Sequence, residues 1–186
     1  MRQVLFVENR CSFSWNVVDT LPVSREQVRI CRAAEAASQL DEAHLLVLGP
    51  GPTDPLRAGL VDLVRVAAER RLPVLGVCLG HQAIGLAFGA DLARGQPVHG
   101  KVSRIELAPS RLMPGIQGSY EVMRYHSLRV ENLPLSLHAL ARSSDGALMA
   151  VEHKELPMLG LQFHPDSYAT PAGAKMISAF FRAVSS

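Results

Sequence analysis

The sequence predicts an α/β protein built on a doubly wound, mostly parallel β-sheet that is flanked by helices. Four short apolar runs in the first half of the chain have the length and composition of strands: Val4–Val7, Val28–Cys31, Leu45–Leu48 and Val74–Val77. Their apolar residues are continuous rather than alternating, which is typical of strands covered on both faces. Segments with helical spacing lie between the runs, and this order indicates a parallel sheet. Active groups in such sheets lie at the carboxyl ends of the strands.

The clearest helix is predicted over residues 55–71. Asp54 precedes it as a natural N-cap, Pro55 suits its first turn, and two arginines lie at its negative end. The residues that form its apolar stripe are Leu56, Leu60, Leu63, Val64 and Ala67. A second helix is predicted to begin just after Cys78 and to continue to about Phe88.

The second half of the chain predicts a smaller antiparallel or mixed extension of the sheet. Short segments with strand-forming residues are separated there by Pro, Gly, Ser or Asn. These segments cover residues 101–107, 121–125, 137–143, 147–152 and 158–163. A closing helix is expected with Thr170 as its cap and Pro171 as its first residue. Together these elements predict one domain over residues 1–186.

Composition excludes several classes of function. Hydrophobic residues make up 48% of the chain and charged residues 19%, which is ordinary for a globular protein. The net charge of +2 includes no basic stripe, so nucleic acid is not an expected partner. No apolar segment has the length of a membrane span or of a signal-peptide core, and we expect a cytoplasmic protein. The three cysteines form no C-x-x-C pair, and no spacing of Cys and His matches a metal site.

The segment Gly-Val-Cys-Leu-Gly-His-Gln at residues 76–82 is the strongest chemical signal in the chain. It places Cys78 where a predicted strand turns into a helix, with Gly76 and Gly80 on either side to relieve crowding. This is the geometry of a nucleophile elbow. Free N–H groups at the start of the helix favour a thiolate. Cys78 is therefore the predicted nucleophile.

A cysteine nucleophile requires a base and a group that orients the base. His164 follows an apolar run and precedes Pro165, which places it at the end of a strand, and Asp166 could accept the other imidazole N–H. The alternative is that His164 and Asp166 only organise a turn. Gly51, in the Gly-Pro-Gly-Pro loop, and Leu79 could offer two backbone N–H groups to an oxyanion. That loop could equally be a simple connection.

These motifs, in this order, resemble the class I (triad) glutamine amidotransferases, and within them component II of anthranilate synthase and of aminodeoxychorismate synthase. The resemblance covers essentially the whole chain. It rests on Ser12, Phe13 and Asn16, on the segments 49–52 and 76–82, on His-Gly-Lys at 99–101, on Arg-Tyr-His-Ser-Leu at 124–128 and on Gln-Phe-His-Pro at 162–165. The fold it implies is the flavodoxin-like fold of that class.

The resemblance implies that Cys78 attacks the side-chain amide of glutamine and that His164 transfers protons. Gln82, Ser127 and Leu128 would hold the amino-acid end of glutamine. His126 is expected to order its loop rather than to transfer protons. His99, Gly100 and Lys101 correspond to a stretch that the family uses near the synthase interface, although a polar turn before a strand explains them equally well. Cys11 and Cys31 are expected to be structural.

The resemblance also implies a partner. Ammonia released from glutamine must reach a chorismate-binding synthase subunit, and chorismate and Mg²⁺ are expected in that subunit rather than in this chain. Two other functions stay open: a weakly active or inactive regulatory or assembly subunit, and a free-standing γ-glutamyl hydrolase of the same fold.

Two departures from the family pattern affect these expectations. Asp166 stands where the family has a glutamate, and the missing methylene withdraws the carboxylate by about 1.5 Å. The segment Glu-Asn-Arg-Cys at residues 8–11 stands where the family commonly has Asp-Asn-x-Asp, so the resemblance does not carry over any partner contact made by the second acid.

Overall fold

Nine β-strands are present in the computed structural model, which describes residues 3–185. Their bounds are β1 Val4–Val7, β2 Val28–Cys31, β3 Leu45–Leu48, β4 Val74–Val77, β5 Asp91–Leu107, β6 Gly118–Glu131, β7 Leu137–Arg142, β8 Leu148–His153 and β9 Met158–Leu161. Seven of them form the central sheet, in the order β2-β1-β3-β4-β9-β8-β7. The first five strands in that order are parallel to one another, and the last two continue the sheet in antiparallel pairs.

Helices cover both faces of the sheet. α1 (Ser14–Thr20) and α5 (Gly173–Val184) pack in a core cluster on one face. α2 (Ala33–Ala36), α3 (Leu60–Glu69) and α4 (Leu79–Ala87) pack in a second cluster on the other face. The doubly wound, mostly parallel architecture is therefore confirmed. None of the helices between Gln3 and Ser185 is long and apolar enough to cross a membrane.

The antiparallel extension has two separate parts. β7 and β8 lengthen the main sheet, whereas β5 and β6 form a two-stranded ribbon of their own. Both ribbon strands are much longer than the segments predicted from the sequence. The prediction failed at the start of β5 because Gly95 and Pro97 suggested a loop, whereas the ribbon accommodates them at an irregularity in the strand register between Arg94 and Val98.

The helix predicted over residues 55–71 begins five residues later, at Leu60. Asp54 does cap the preceding turn, since its Oδ1 atom accepts the backbone N–H groups of Leu56 and Arg57 at 2.8 and 3.2 Å. Gly59, with φ of 72°, then ends that turn, and the N–H of Leu60 bonds to the carbonyl of Pro55. This is a Schellman termination of a single turn. Leu56, expected in the apolar stripe, is consequently 59% exposed.

Two further expectations are corrected. α5 begins at Gly173 rather than at Pro171, and the Thr170 side chain does not cap it. The Thr170 hydroxyl instead donates to the carbonyl of His164 and accepts the N–H of Met123.

β2 lies at the edge of the sheet, so its run is not covered on both faces, and Ile30 is partly solvent-exposed. An edge strand has only one neighbour, and an apolar run alone does not reveal this position.

Candidate active site

Cys78 occupies a sharp turn between β4 and α4. Its φ and ψ are 52° and −95°, values that a residue with a side chain adopts only under strain. The turn is held by the backbone, because the N–H of Cys78 donates to the carbonyl of Leu161 at 2.8 Å. A Cβ atom at Gly76 would lie 2.4 Å from the carbonyl oxygen of Gly80, and one at Gly80 would lie 2.3 Å from that of Leu48. The two glycines are thus required for close packing of the elbow.

The Cys78 elbow opens into a cavity of about 420 Å³. The residues that line it follow the carboxyl ends of β1, β3 and β4, continue into the ribbon strand β6 and end at His164. Seven of the predicted site residues line this cavity: Gly51, Cys78, Gln82, His99, Ser127, Leu128 and His164. The structure therefore brings together predicted site residues that are up to 113 positions apart in the sequence, from Gly51 to His164.

Cys78 is a buried thiol in this arrangement. Its pKa is raised from 9.0 to about 12, chiefly by burial and secondly by the nearby Cys11. The N–H of Leu79 and the side-chain amide of Gln162 act in the opposite direction, the latter with its Nε2 atom 3.7 Å from Sγ. The N–H group at the helix start favours the thiolate, as expected, but desolvation outweighs this N–H and the Gln162 amide. A base is needed to ionise Cys78.

His164 lines the same cavity, and its ring lies close to the carboxylate of Asp166. The Nδ1 atom of His164 lies 3.2 Å from Oδ1 of Asp166, and both side chains are almost completely buried. Nevertheless, the pair is not aligned as a hydrogen bond, and neither carboxylate oxygen of Asp166 has a hydrogen-bond partner within the described chain. The carboxylate is therefore close enough to act on the imidazole through its charge, but in this geometry it does not fix the ring through a hydrogen bond.

Other groups fix His164. Its backbone N–H donates to the carbonyl of Met123 at 2.9 Å, and its carbonyl accepts the hydroxyl of Thr170 at 2.7 Å. The imidazole packs edge-on against the rings of Phe13 and Tyr125, with centroids 5.4 and 5.2 Å away. Phe13 and Tyr125 also stack on each other. The ring is thus oriented by an aromatic wall rather than by a hydrogen bond from Asp166.

The two predicted oxyanion donors differ in their present roles. Gly51 lines the cavity, and no side chain fits there, since a Cβ atom would lie 2.7 Å from both Asn9 Cβ and Leu79 Cδ2. The loop that carries it is anchored by Asn9, whose side-chain amide donates to the carbonyl of Gly49 at 3.0 Å. The N–H of Leu79 acts to lower the pKa of the Cys78 thiol. Their joint role as an oxyanion hole stays a prediction.

The predicted substrate-binding residues are linked by hydrogen bonds. Gln82 Nε2 donates to the carbonyl of Leu128 at 3.1 Å and to the side-chain oxygen of Gln162 at 3.2 Å. His126 contacts the same Leu128 carbonyl through Nδ1 at 3.0 Å. Burial, assisted by the charge of Arg124, lowers the pKa of His126 to about 4. His126 is consequently neutral at physiological pH and orders the segment that carries Leu128.

The three residues predicted near a partner interface separate in the structure. His99 is exposed and lines the mouth of the cavity, whereas Gly100 and Lys101 lie beyond the lining on β5. Gly100 has φ of 65° at a register shift between His99 and Lys101, which explains a glycine at this position. All three are accessible on the ribbon, and their contact with a partner stays a prediction.

Several residues at the site were missed from the sequence or assigned otherwise. Phe13 and Tyr125 belong to recognised motifs, but only the folded chain shows that their rings enclose His164. Gln162 precedes the Phe-His-Pro turn, and its contact with the sulfur could not be derived from spacing. Cys11 was expected to be structural, yet it is half-buried and lines the cavity together with Cys78. Cys31, by contrast, is a buried core residue.

The described chain, residues 3–185, contains no group of three or more His, Cys, Asp or Glu side chains that could hold a metal ion. The cavity lining contains the thiol of Cys78, the imidazole of His164 and the side-chain amide of Gln82 around one space.

Comparison with known proteins extends this description. Residues 5–184 match the family model described as glutamine amidotransferase class-I. The chain is 38% identical to anthranilate synthase component 2 of Azospirillum brasilense, over 95% of this chain and 94% of that protein. It is 42% identical to aminodeoxychorismate synthase of Streptomyces griseus over 96% of this chain, but spans only 25% of that longer protein.

Solved structures agree on the fold. A protein from Thermoplasma acidophilum, described as part of a putative GMP synthase, superposes with a TM-score of 0.88 at 24% identity, covering 100% of this chain and 94% of the other. A glutamine amidotransferase from Thermotoga maritima gives a TM-score of 0.73 at 18% identity, covering 99% of this chain and 84% of the other. At these identities the likeness concerns the fold alone.

Proposed function

Because the chain belongs to the class-I glutamine amidotransferase family, we propose that it hydrolyses the side-chain amide of L-glutamine and supplies ammonia to a chorismate-aminating synthase subunit. The observation that carries the proposal is the placement of Cys78 and His164 on one cavity, with Cys78 at a strained elbow. The homology to anthranilate synthase component 2 and to aminodeoxychorismate synthase supports the choice of partner.

The first half of the proposed reaction forms a thioester. His164 takes the proton of the Cys78 thiol, and the sulfur attacks the side-chain carbonyl carbon of glutamine. The N–H groups of Gly51 and Leu79 stabilise the negative oxygen that results. His164 then returns the proton to the departing nitrogen, the C–N bond breaks, and ammonia leaves a γ-glutamyl thioester on Cys78. Asp166 stabilises the imidazolium formed in this step.

The second half hydrolyses the thioester. His164 removes a proton from water, the oxygen attacks the thioester carbonyl, and the C–S bond breaks. The sulfur recovers a proton from the imidazolium, and glutamate is released. The net reaction consumes one glutamine and one water and yields one glutamate and one ammonia.

Glutamine would be oriented by the linked amides of the cavity. Both N–H groups of Gln82 are used by Leu128 and Gln162, so its oxygen is the atom left to accept from the ammonium group of the substrate. The backbone of Ser127 and Leu128 would bind the α-carboxylate end. The substrate amide is then directed toward Cys78.

A partner subunit follows from the fate of ammonia. In water at neutral pH, ammonia is mostly protonated and is no longer a nucleophile, so it must pass through a protected channel to the site of amination. We propose that the partner binds chorismate and Mg²⁺ and produces anthranilate or 4-amino-4-deoxychorismate. We expect this assembly in the cytoplasm, where the three free cysteines stay reduced.

The test measures glutamate release and chorismate consumption by the chain alone, by the chorismate-binding subunit from the same genome, and by both together. We expect slow glutamate release from the isolated chain, faster release in the complex, and one aminated product per glutamate. Equal rates with and without the partner would contradict the proposed subunit role and would instead support a free-standing γ-glutamyl hydrolase.

One observation favours a second candidate function. The His164 and Asp166 side chains are close but not aligned as a hydrogen bond, which fits a weakly active subunit kept for regulation or assembly. In that case the complex would use added ammonia normally but would release almost no glutamate from glutamine. Covalent labelling of Cys78 in the complex by an electrophilic glutamine analogue would exclude this candidate.

A further inference from the structure

A continuous series of hydrogen bonds runs from a hairpin turn on the protein surface to the Cys78 sulfur. It begins at Asp145, between β7 and β8, and passes through Arg124 and His126 of β6. From His126 it continues to the Leu128 carbonyl, which Gln82 also contacts. It ends with Gln162, between Gln82 and the sulfur.

The outer part of the series is a two-point ion pair. Arg124 donates from Nη1 and Nη2 to the two carboxylate oxygens of Asp145 at 3.0 and 3.1 Å. The Arg124 side chain is 5% exposed and that of Asp145 48% exposed. Ser143 donates a further short hydrogen bond to Asp145. Two parallel bonds fix the plane of a guanidinium as well as its position.

The guanidinium determines which nitrogen of His126 carries the proton. Arg124 Nε has only a hydrogen to offer, so His126 Nε2, 3.1 Å away, must accept. The proton of the neutral ring is then on Nδ1, and that N–H donates to the Leu128 carbonyl at 3.0 Å. With the other tautomer, two N–H groups would meet at Nε2, and the Leu128 carbonyl would lose this donor.

We infer that Arg124, held by Asp145, is a positioning residue for glutamine: through His126 it sets the orientation of the Ser127 and Leu128 backbone that forms one wall of the cavity. Neither Arg124 nor Asp145 lines the cavity, so both act through another residue. The inference rests on the proposed function, because it assigns these residues a role in binding the proposed substrate. It predicts an effect on substrate affinity rather than on the chemical step.

The experiment measures binding of L-glutamine by calorimetry to the complex with the synthase subunit, in a Cys78→Ser background that prevents turnover. Arg124→Met retains the length of the side chain but removes the guanidinium, and Asp145→Asn removes the negative charge that faces the guanidinium. We expect about tenfold weaker binding for Arg124→Met and about threefold weaker binding for Asp145→Asn. The double variant should bind about as weakly as Arg124→Met alone, because both act through one path.

The kinetics of glutamate release, measured with Cys78 unmodified, provide the second readout. Both variants should raise KM for glutamine while kcat changes by less than about threefold. The conservative variant Asp145→Glu should restore most of the affinity. Arg70→Met is the control, because Arg70 forms a more exposed ion pair with Asp41 at 3.0 Å and is not part of the series of hydrogen bonds that leads to Cys78. It should leave binding and kinetics unchanged.

The tautomer of His126 is read by nitrogen-15 NMR of the histidine ring. The proton should reside on Nδ1 in the unmodified chain, and the Nε2–H form should appear in Arg124→Met. An Nε2–H ring in the unmodified chain would overturn the inference. So would unchanged glutamine binding in Asp145→Asn, a surface variant that we expect to fold even if Arg124→Met does not. Absence of any glutamine binding in the Cys78→Ser complex would instead contradict the proposed function.

Discussion

The Nδ1 atom of His164 lies 3.2 Å from the Oδ1 atom of Asp166, within the range of an ion pair, yet the two groups are not aligned as a hydrogen bond. The family pattern has a glutamate in place of Asp166, and the loss of one methylene was expected to pull the carboxylate away. In the folded chain the two residues still approach each other, and what is lost is alignment. The carboxylate can therefore stabilise an imidazolium by its charge without fixing the orientation of the ring through a hydrogen bond.

Substitution of Asp166 tests whether its negative charge supports turnover even though the carboxylate is not aligned with His164 for a hydrogen bond. Asp166→Asn keeps the shape of the side chain but removes the charge, and we expect kcat for glutamate release by the complex to fall about a hundredfold or more. Asp166→Glu should retain activity within about tenfold, because the charge is kept and the longer side chain can reach Nδ1. Asp41→Asn is the surface control. A loss of less than twofold in Asp166→Asn would show that the carboxylate has no role in turnover.

The pH dependence of Cys78 alkylation tests the state of the thiol. Burial raises its pKa to about 12, so the unreactive thiol dominates below that pH and the thiolate fraction grows as pH rises. Alkylation by iodoacetamide in the free chain should thus accelerate about tenfold for each unit between about pH 7 and pH 10. Mass spectrometry of the Cys78 peptide distinguishes it from Cys11 and Cys31. A rate that is already maximal near neutral pH would indicate a preformed thiolate.

Thr170 links the loop of His164 to β6, and its removal should cost stability. Thr170→Val keeps the shape of the side chain but deletes the hydrogen bonds to the His164 carbonyl and from the Met123 N–H. We expect the free energy of unfolding to fall by about 1–3 kcal/mol, measured by urea denaturation. Thr170→Ser retains the hydroxyl and should lose less than about 1 kcal/mol. A larger loss in Thr170→Ser than in Thr170→Val would mean that the methyl group, not the hydroxyl, carries the stability.

Gly80 permits the close approach of α4 to β3, so even alanine should be harmful there. A Cβ atom would lie 2.3 Å from the Leu48 carbonyl oxygen, a backbone atom that cannot rotate away. We expect Gly80→Ala to lower the free energy of unfolding by about 1–3 kcal/mol or more. Gly95→Ala is the control, because its nearest neighbour is the flexible Arg129 side chain at 3.3 Å. Comparable stability of the two variants would contradict the packing of the elbow.

The first four strands could be predicted from the sequence to the residue, because each is a short, largely apolar run. The same reasoning failed at α3. The apolar spacing continues from Leu56 through Leu63, and only the left-handed conformation of Gly59 ends the first turn. A glycine in a helical pattern is compatible with either outcome, and tertiary packing decides between them.

For the site, the sequence indicated which groups are candidates for the reaction but not which contacts support them. Cys78 and His164 could be found because their neighbours, glycines and a proline, report the local turns. The aromatic wall around His164 and the ion pair of Arg124 with Asp145 arise from residues more than 20 positions apart. The suppressed acidity of Cys78 depends on burial by the whole fold, which no local pattern expresses.

Treatment of the assembled complex with an electrophilic glutamine analogue tests most directly whether Cys78 is the nucleophile in glutamine hydrolysis. We expect that one analogue molecule bonds to the Cys78 peptide, that excess glutamine protects it, and that Cys78→Ala is neither labelled nor able to release glutamate. Glutamate release by the Cys78→Ala complex at the rate of the unmodified complex, or labelling at Cys11 instead, would contradict the assignment of Cys78.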